Sequence, residues 1–273
     1  MSDFHPSTRG GFLENTLQGL HSAMERALSA ETAAENNGVL QSLDARVKVA
    51  GLLAMVITAA LSAKLRVTGA ILILAVLLAA LSRISLRTLA ARAWLGALVF
   101  SGLIAIPAVF LTPGAAVLGS PMTVQGIRAG SFLVLRAVTA ATLIFLLGYT
   151  TPWSHILKAL RIFRVPVVFV LILGMTIRYI VLLLETAHDL FQSRSSRRVN
   201  RPTPAENRRL AITSSGVLLT KSLHLSGEVY QAMVSRGFRG EVYLLDDFEM
   251  RARDWIAAGA FATLAAASLL LGR

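Results

Sequence analysis

VVFVLILGMTIRYIVLLLETAHDLFQSRSSRR, residues 167–198, is the stretch on which the arrangement of this chain turns. Its first part, 167–184, carries a single charge, Arg178. A bilayer core takes about 20 apolar residues of helix, so hydropathy alone makes this part a membrane span. Its second part opens a basic, mostly polar segment, 185–253. That segment holds Arg194, Arg197, Arg198, Arg201, Arg208, Arg209, Lys221, Arg236, Arg239, Arg251 and Arg253. Four apolar runs precede it, so with an internal N-terminus a fifth crossing here would put all of these cations outside. Lys and Arg gather on the cytoplasmic side, and the breach would be severe. The expectation is therefore that 167–184 does not cross. It lies obliquely against the inner leaflet and the other helices, tolerates Arg178, and continues as a helix into the cytoplasm toward Arg194.

The composition agrees with a membrane seat. The chain has 273 residues, 55% of them hydrophobic, and a mean hydropathy of +0.63. In lipid every backbone polar group must be met within the segment, which makes the fold class all-α: a polytopic helical membrane protein. The net charge of +12 and pI near 11.2 would suggest nucleic acid in a soluble protein. Here the basic segment is interrupted by Glu206, Glu228, Glu241, Asp246 and Asp247 and lacks interleaved aromatics, a poor nucleic-acid track. Basic cytoplasmic loops and contact with membrane lipid account for the charge. There is no cysteine, which excludes disulfides, thiol catalysis and cysteine metal sites.

Along the chain, Leu13, Leu17, Leu20, Met24 and Leu28 recur at helical spacing and predict an amphipathic helix on the membrane surface, on a partner or on the protein itself. Arg46 and Lys48 flank the start of a first span, 47–63, and a tight turn at Lys64 and Arg66 leads to a second, 67–81. Arg83, Arg87 and Arg92 lie on a short helical connector. Trp94 opens a third span, 94–111, in which Pro107 is a candidate kink. Residues 112–123, rich in Pro and Gly and without Lys or Arg, read as an external loop. The fourth span, 129–148, contains Arg136, which must face protein or water because an arginine in lipid is costly. Thr151-Pro152 reads as a helix cap with proline at the first position, followed by a basic helix, 153–163. Thr203-Pro204-Ala205-Glu206 is a stronger start signal, and Gly237 suits the end of the long helix it opens. A final span covers 256–271. The count is five spanning helices and a cytoplasmic region of two long helices.

Catalytic chemistry is hard to place. The run ending Thr220-Lys221-Ser222 lacks the glycine and the strand–loop context of a phosphate-binding loop. His5, His21, His155, His188 and His224 show no metal-ligand spacing. Glu185 and Asp189 beside His188 read as solvated charges at a helix exit rather than an acid–base pair. Two tripeptides remain, Ser193-Arg194-Ser195 and Ser235-Arg236-Gly237, each with an arginine between small residues at a helix end. Small flanks admit a close partner surface, and the guanidinium offers a fork of donors to carboxylates or carbonyls. The competing reading is a pair of charges at the edge of an anionic membrane.

At these residues the sequence resembles the transmembrane T component of energy-coupling factor (ECF) transporters, in its cobalt-type branch, CbiQ. The likeness is carried by Leu43-Asp44-Ala45-Arg46-Val47-Lys48, Thr150-Thr151-Pro152-Trp153 with Leu160-Arg161 and Arg164-Val165-Pro166, Arg178-Tyr179, and most specifically 232–240, AMVSRGFRG. The family carries two Ala-Arg-Gly-like motifs on coupling helices that dock into two ATP-binding-cassette ATPases. Ser193, Arg194 and Ser195, and Ser235, Arg236 and Gly237, stand in those places, with serine for the family's alanine and no glycine in the first. The resemblance implies a non-enzymatic importer subunit in the inner membrane of a prokaryote. Its partners would be CbiO/EcfA-like ATPases that bind ATP and Mg²⁺, and a CbiM-like or other S-component membrane subunit that binds Co²⁺ or Ni²⁺. This chain itself would hold no cofactor. The patterns along the chain divide it into an N-terminal amphipathic segment (1–42), four spans (43–148), a cytoplasmic or interfacial region of coupling helices (149–253) and a last span (254–273). Two alternatives stay open: a T component serving vitamin-binding S subunits, and a membrane enzyme acting on lipid-linked substrates.

Overall fold

The computed structural model describes residues 38, 40–112, 123–196, 203–240 and 250–272, with 19 and 22. The side chains of Leu111, Arg194, Ser195 and Pro204 are excepted. Most of the expected N-terminal helix, most of the external loop 112–123, and Asp246 and Asp247 lie outside the described residues. The helices are α1 Ala45–Leu61, α2 Leu65–Leu81, α3 Leu86–Leu89, a π-helical turn Ala90–Trp94, α4 Leu95–Leu111, α5 Val124–Thr150, α6 Trp153–Ile162, α7 Val167–Ser196, α8 Pro204–Ser235 and α9 Ala252–Gly272. They fall into two compact units: α1–α6 with α9, and α7 with α8.

In the first unit the starts of three helices follow from a local capping residue. Asp44 caps α1 by accepting from Arg46 N–H at 2.8 Å. Ser85 caps α3 by accepting from Thr88 N–H at 3.2 Å, and Thr123 caps α5 by accepting from Gly126 N–H at 3.1 Å. The expected boundary at Trp94 is corrected. No glycine or proline separates Leu86 from Leu95, so connector and span form one apolar helix, Leu86–Phe110, with a π turn inside it. Trp94 lies within that helix and donates its indole N–H to Thr142 Oγ1 at 3.0 Å. The helix runs on through Pro107.

Thr151 is also corrected. Its hydroxyl is buried without a hydrogen-bond partner. The first carbonyl of α6 to accept is that of Pro152, from His155 N–H at 3.0 Å and Ile156 N–H at 3.2 Å. Proline holds Thr151 extended, and the helix begins one residue later than the threonine suggests.

Lipid gives helices little hydrophobic reason to associate, so close approach at small residues matters. Ala59, Ala75 and Ala79 are fully buried, in a core with Leu52, Met55, Ile71, Leu143 and Leu146. The buried hydroxyls of Thr139, Thr142 and Thr150 each donate to the carbonyl four residues back, at 2.7 Å.

Register fixes the topology. Asp44 N–H donates to Asp254 Oδ1 at 2.9 Å, across 210 residues of sequence. Gly51 lies against Phe261, where a Cβ would stand 2.5 Å from the ring's Cγ. Ala63 N–H donates to Gly272 O at 3.0 Å. The offset is nearly constant, so α9 runs parallel to α1. Lys48 meets Thr150 and Arg136 meets Ser62, so α5 runs antiparallel to α1. Arg136 faces protein as expected: its Nη2 donates to Ser62 O at 2.7 Å, and its guanidinium sits 4.6 Å from the centre of the Phe132 ring.

Among the described residues four helices are long and apolar enough to cross a membrane: Leu86–Phe110, Val124–Thr150, Val167–Ser193 and Ala252–Gly272; Leu65–Leu81 is apolar but shorter. Three of the four coincide with expected spans. Val167–Ser193 is the one the charge argument sets aside.

Candidate functional site

The second unit carries both tripeptides. α7 is continuous from Val167 to Ser196, so the apolar stretch and the first motif share one helix. Ser193-Arg194-Ser195 forms part of its last turn. Ser193 Oγ donates back to Leu190 O at 3.0 Å, and Ser196 Oγ donates to Gln192 O at 3.1 Å. These serines face their own helix's carbonyls, as hydroxyls near a helix end do.

α8 begins at the full capping box anticipated from sequence. Glu206 N–H donates to Thr203 Oγ1 at 3.3 Å, and Thr203 N–H donates to Glu206 Oε2 at 2.8 Å, with Pro204 at the first position. The helix has 32 residues, a length of about 48 Å at 1.5 Å per residue. The second motif straddles its end. Ser235 is the last helical residue, and its Oγ donates to Ala232 O at 3.0 Å. Arg236 is the cap residue, and Gly237 follows at φ +82°. Phe238 N–H reaches back to Met233 O at 3.0 Å, and Gly237 N–H to Val234 O at 2.9 Å. This pair of bonds is the Schellman turn, which calls for a left-handed residue and so for glycine. Gly240, at φ +91°, supplies a second left-handed residue just beyond.

The turn sits on an apolar floor. A groove of about 510 Å³ between α7 and α8 is lined by Met175, Tyr179, Leu183, Leu225, Val229 and others, and Met233 and Phe238 of the turn complete it. Phe238 therefore anchors the turn inward while Arg236 is exposed. Among the described residues the Arg236 guanidinium makes no hydrogen bond or ion pair. All its donors are available to a partner.

The six motif residues thus lie at the C-terminal ends of two different helices. Sequence reasoning located both, but not the role of Phe238. The signal was there: an aromatic directly after an Arg-Gly helix end is the hydrophobic partner a Schellman turn expects. Among the described residues no three His, Asp or Glu side chains gather as a metal site.

A second polar cluster lies in the other unit, at the starts of α1 and α9 and the end of α5. Lys48, expected at the entry of the first span, lies in the first turn of α1, where it is 2% exposed and its Nζ donates to Thr150 O at 3.0 Å.

Comparison with known proteins closes the identification. The model of the CbiQ family, described as cobalt transport protein, matches residues 36–244, which include both tripeptides. An uncharacterized protein of Methanocaldococcus jannaschii is 31% identical over 243 residues, 86% of this chain and 83% of that protein. The cobalt transport protein CbiQ of Rhodobacter capsulatus is 29% identical over 174 residues, 61% of this chain and 70% of that protein. This chain belongs to the CbiQ family, the transmembrane T components of ECF transporters.

Proposed function

We propose that Arg194 and Arg236 each dock into one of two ATP-binding-cassette ATPases, and that the chain passes their closure on ATP to a separate membrane subunit that binds Co²⁺ or Ni²⁺. The observation that carries this is the second motif: an exposed arginine with uncommitted donors, held at the end of a long helix by a glycine-dependent turn. As a CbiQ-family T component the chain is a multi-pass, non-catalytic transport subunit. The Rhodobacter capsulatus relative, a cobalt transport protein, supports cobalt as cargo. The cargo ion is recognised by the partner subunit, and the energy comes from the ATPases.

The register of the membrane unit supports a coupling region, 149–253, lying wholly on one side. The chain leaves that unit at the end of α5, where Thr150 meets Lys48. It returns at the start of α9, where Asp254 meets Asp44. Both points are at the beginning of α1, on one face of the bilayer, so the number of crossings between them must be even. α8 is not among the helices apolar enough to cross. Its polar and charged residues include Glu206, Arg208, Arg209, Lys221 and Glu228. A single crossing by α7 would break the parity, so α7 lies along the cytoplasmic side and five helices cross. Within this reading α1, of 17 residues, is a short span of about 26 Å.

The test is uptake. Cells expressing the chain with its ATPases and substrate-binding subunit should accumulate radiolabelled Co²⁺ or Ni²⁺ in an ATP-dependent way. Replacing Arg194 and Arg236 by alanine should abolish that uptake while the membrane protein is still made. Normal uptake by the double variant contradicts the docking role. Uptake of a vitamin but of neither ion redirects the substrate assignment.

A further inference from the structure

Two connections join the membrane helices to the coupling region, and both emerge at one buried polar knot. The outgoing connection follows Thr150 and the returning one arrives at Arg251. At the knot Asp254, 2% exposed, uses both carboxylate oxygens. Oδ1 accepts from Asp44 N–H at 2.9 Å, and Oδ2 accepts from Arg251 N–H at 2.9 Å. Asp44 in turn accepts from Arg46 N–H. One helical turn on, the Lys48 ammonium donates to Thr150 O, the last residue of α5. That carbonyl is one of the unpaired acceptors every helix end presents, and it carries the negative end of the helix dipole, so a buried cation is the fitting partner. The charges of Asp44 and Asp254 bear on the same ammonium.

The first turn of α1 is therefore held twice. The returning connection grips its backbone through Asp254, and the outgoing connection grips it through Lys48. Thr151, directly after the Lys48 contact and 2% exposed, keeps a hydroxyl with no hydrogen bond. Buried polar groups are normally paired, and one left unmet marks a corner whose polar demands this arrangement does not fully satisfy.

We propose that the Asp44–Lys48–Asp254 knot is the joint through which movement of the coupling region reaches the membrane helices, with Lys48 as its positioning residue. This rests on the coupling function proposed above. A displacement of either connection is delivered to the start of α1, and from there along the α1–α9 contact at Gly51 and Phe261. Removing Lys48 leaves the ATPase-docking motifs intact but lets the end of α5 move without α1.

The experiment uses the complete transporter in liposomes, with ATP hydrolysis and ⁵⁷Co²⁺ and ⁶³Ni²⁺ uptake measured on the same preparations. For Lys48→Met we expect the ATPases to stay bound and hydrolysis to stay within about two-fold of wild type, while ions moved per ATP fall by about ten-fold or more. Lys48→Arg, which restores a donor and a charge, should recover part of the ratio. Uptake and hydrolysis falling together in proportion to the complex recovered would make the knot merely structural and overturn the proposal, as would an unchanged ratio. If Lys48→Met yields no protein, Asp254→Asn provides the same readout. Its amide keeps an acceptor for Asp44 but presents a donor toward Arg251 N–H, so the ratio should again fall, and an unchanged ratio overturns the proposal. A wild-type preparation that binds no ATPase is a different failure: it removes the coupling function itself.

Discussion

Gly51→Ala tests the parallel register of α1 and α9 on which the topology depends. At Gly51 an added Cβ would stand 2.5 Å from Cγ, 2.6 Å from Cδ2 and 3.0 Å from Cβ of Phe261. Carbon atoms in contact prefer about 3.5–4.0 Å, so about 1 Å must be found. The nearest atom, Cγ, and Cβ lie on the χ2 axis of the phenyl side chain, so rotation about χ2 moves Cδ2 but leaves the clash with Cγ in place. Either α9 backs away from α1 or Phe261 leaves its rotamer. Overpacking of this kind costs about 1–3 kcal/mol. A cost near 2 kcal/mol lowers the melting midpoint of a domain of this size by about 4–8 °C. The assay is the temperature at which detergent-solubilised protein loses its monodisperse peak, read for wild type, Gly51→Ala, Phe261→Ala and the double variant. Phe261→Ala alone leaves a cavity and is also destabilising. In the double variant the new methyl group occupies part of that space, so the two losses should partly cancel, by about 1 kcal/mol or more. Gly51→Ala melting with the wild type, or strictly additive losses, would refute the contact and with it the register.

Three further outcomes follow from the same geometry. Ser62→Cys with Gly272→Cys, in this cysteine-free chain, should form a disulfide on mild oxidation, because the two Cβ positions lie 3.2 Å apart, near the usual 3.5–4.5 Å; proteolytic fragments should then stay joined until reduced. At Gly237 a Cβ meets nothing within 4 Å, so substitution there acts through backbone conformation alone: Gly237→Asn should bind the ATPases nearly as the wild type does, whereas Gly237→Val should bind less tightly by roughly 5–30-fold, from a left-handed penalty of about 1–2 kcal/mol, and equal affinities would exclude the turn from docking. Leu244→Cys should be labelled by an impermeant thiol reagent from the cytoplasmic face and not from outside; the reverse pattern would mean that α7 crosses.

What was legible in the sequence is what is local. The ends of α8 could be read because Thr203, Pro204, Glu206 and Gly237 carry their own capping chemistry, which needs no distant partner. The spans could be read as apolar runs, but not their limits. Arg83 ahead of Leu86, with Arg87 and Arg92 between Leu86 and Leu95, suggested a surface connector, while the absence of any breaker let the helix continue. Thr151 failed as a cap because the proline after it sets the backbone and supplies the first carbonyl. The burial of Lys48 was not legible for a different reason. Its partner Thr150 and its neighbour Asp254 are far away in sequence, and nothing local distinguishes a lysine at a membrane edge from one that closes a helix end. Both tripeptides could be placed at helix ends, the first from Pro202 and Pro204 that follow it and the second from Gly237. The role of Phe238 was legible only in part: its place after an Arg-Gly helix end marks the turn's hydrophobic partner, but the groove between α7 and α8 that it enters is a tertiary feature.

The most direct measurement is co-purification, in mild detergent, of the tagged wild type against the Arg194→Ala/Arg236→Ala variant, with mass spectrometry of what accompanies each. The account predicts that the wild type brings down two ATP-binding-cassette ATPases and a small membrane subunit, and that the variant, equally well folded, loses the ATPases. ATPases retained in full by the double variant would contradict it.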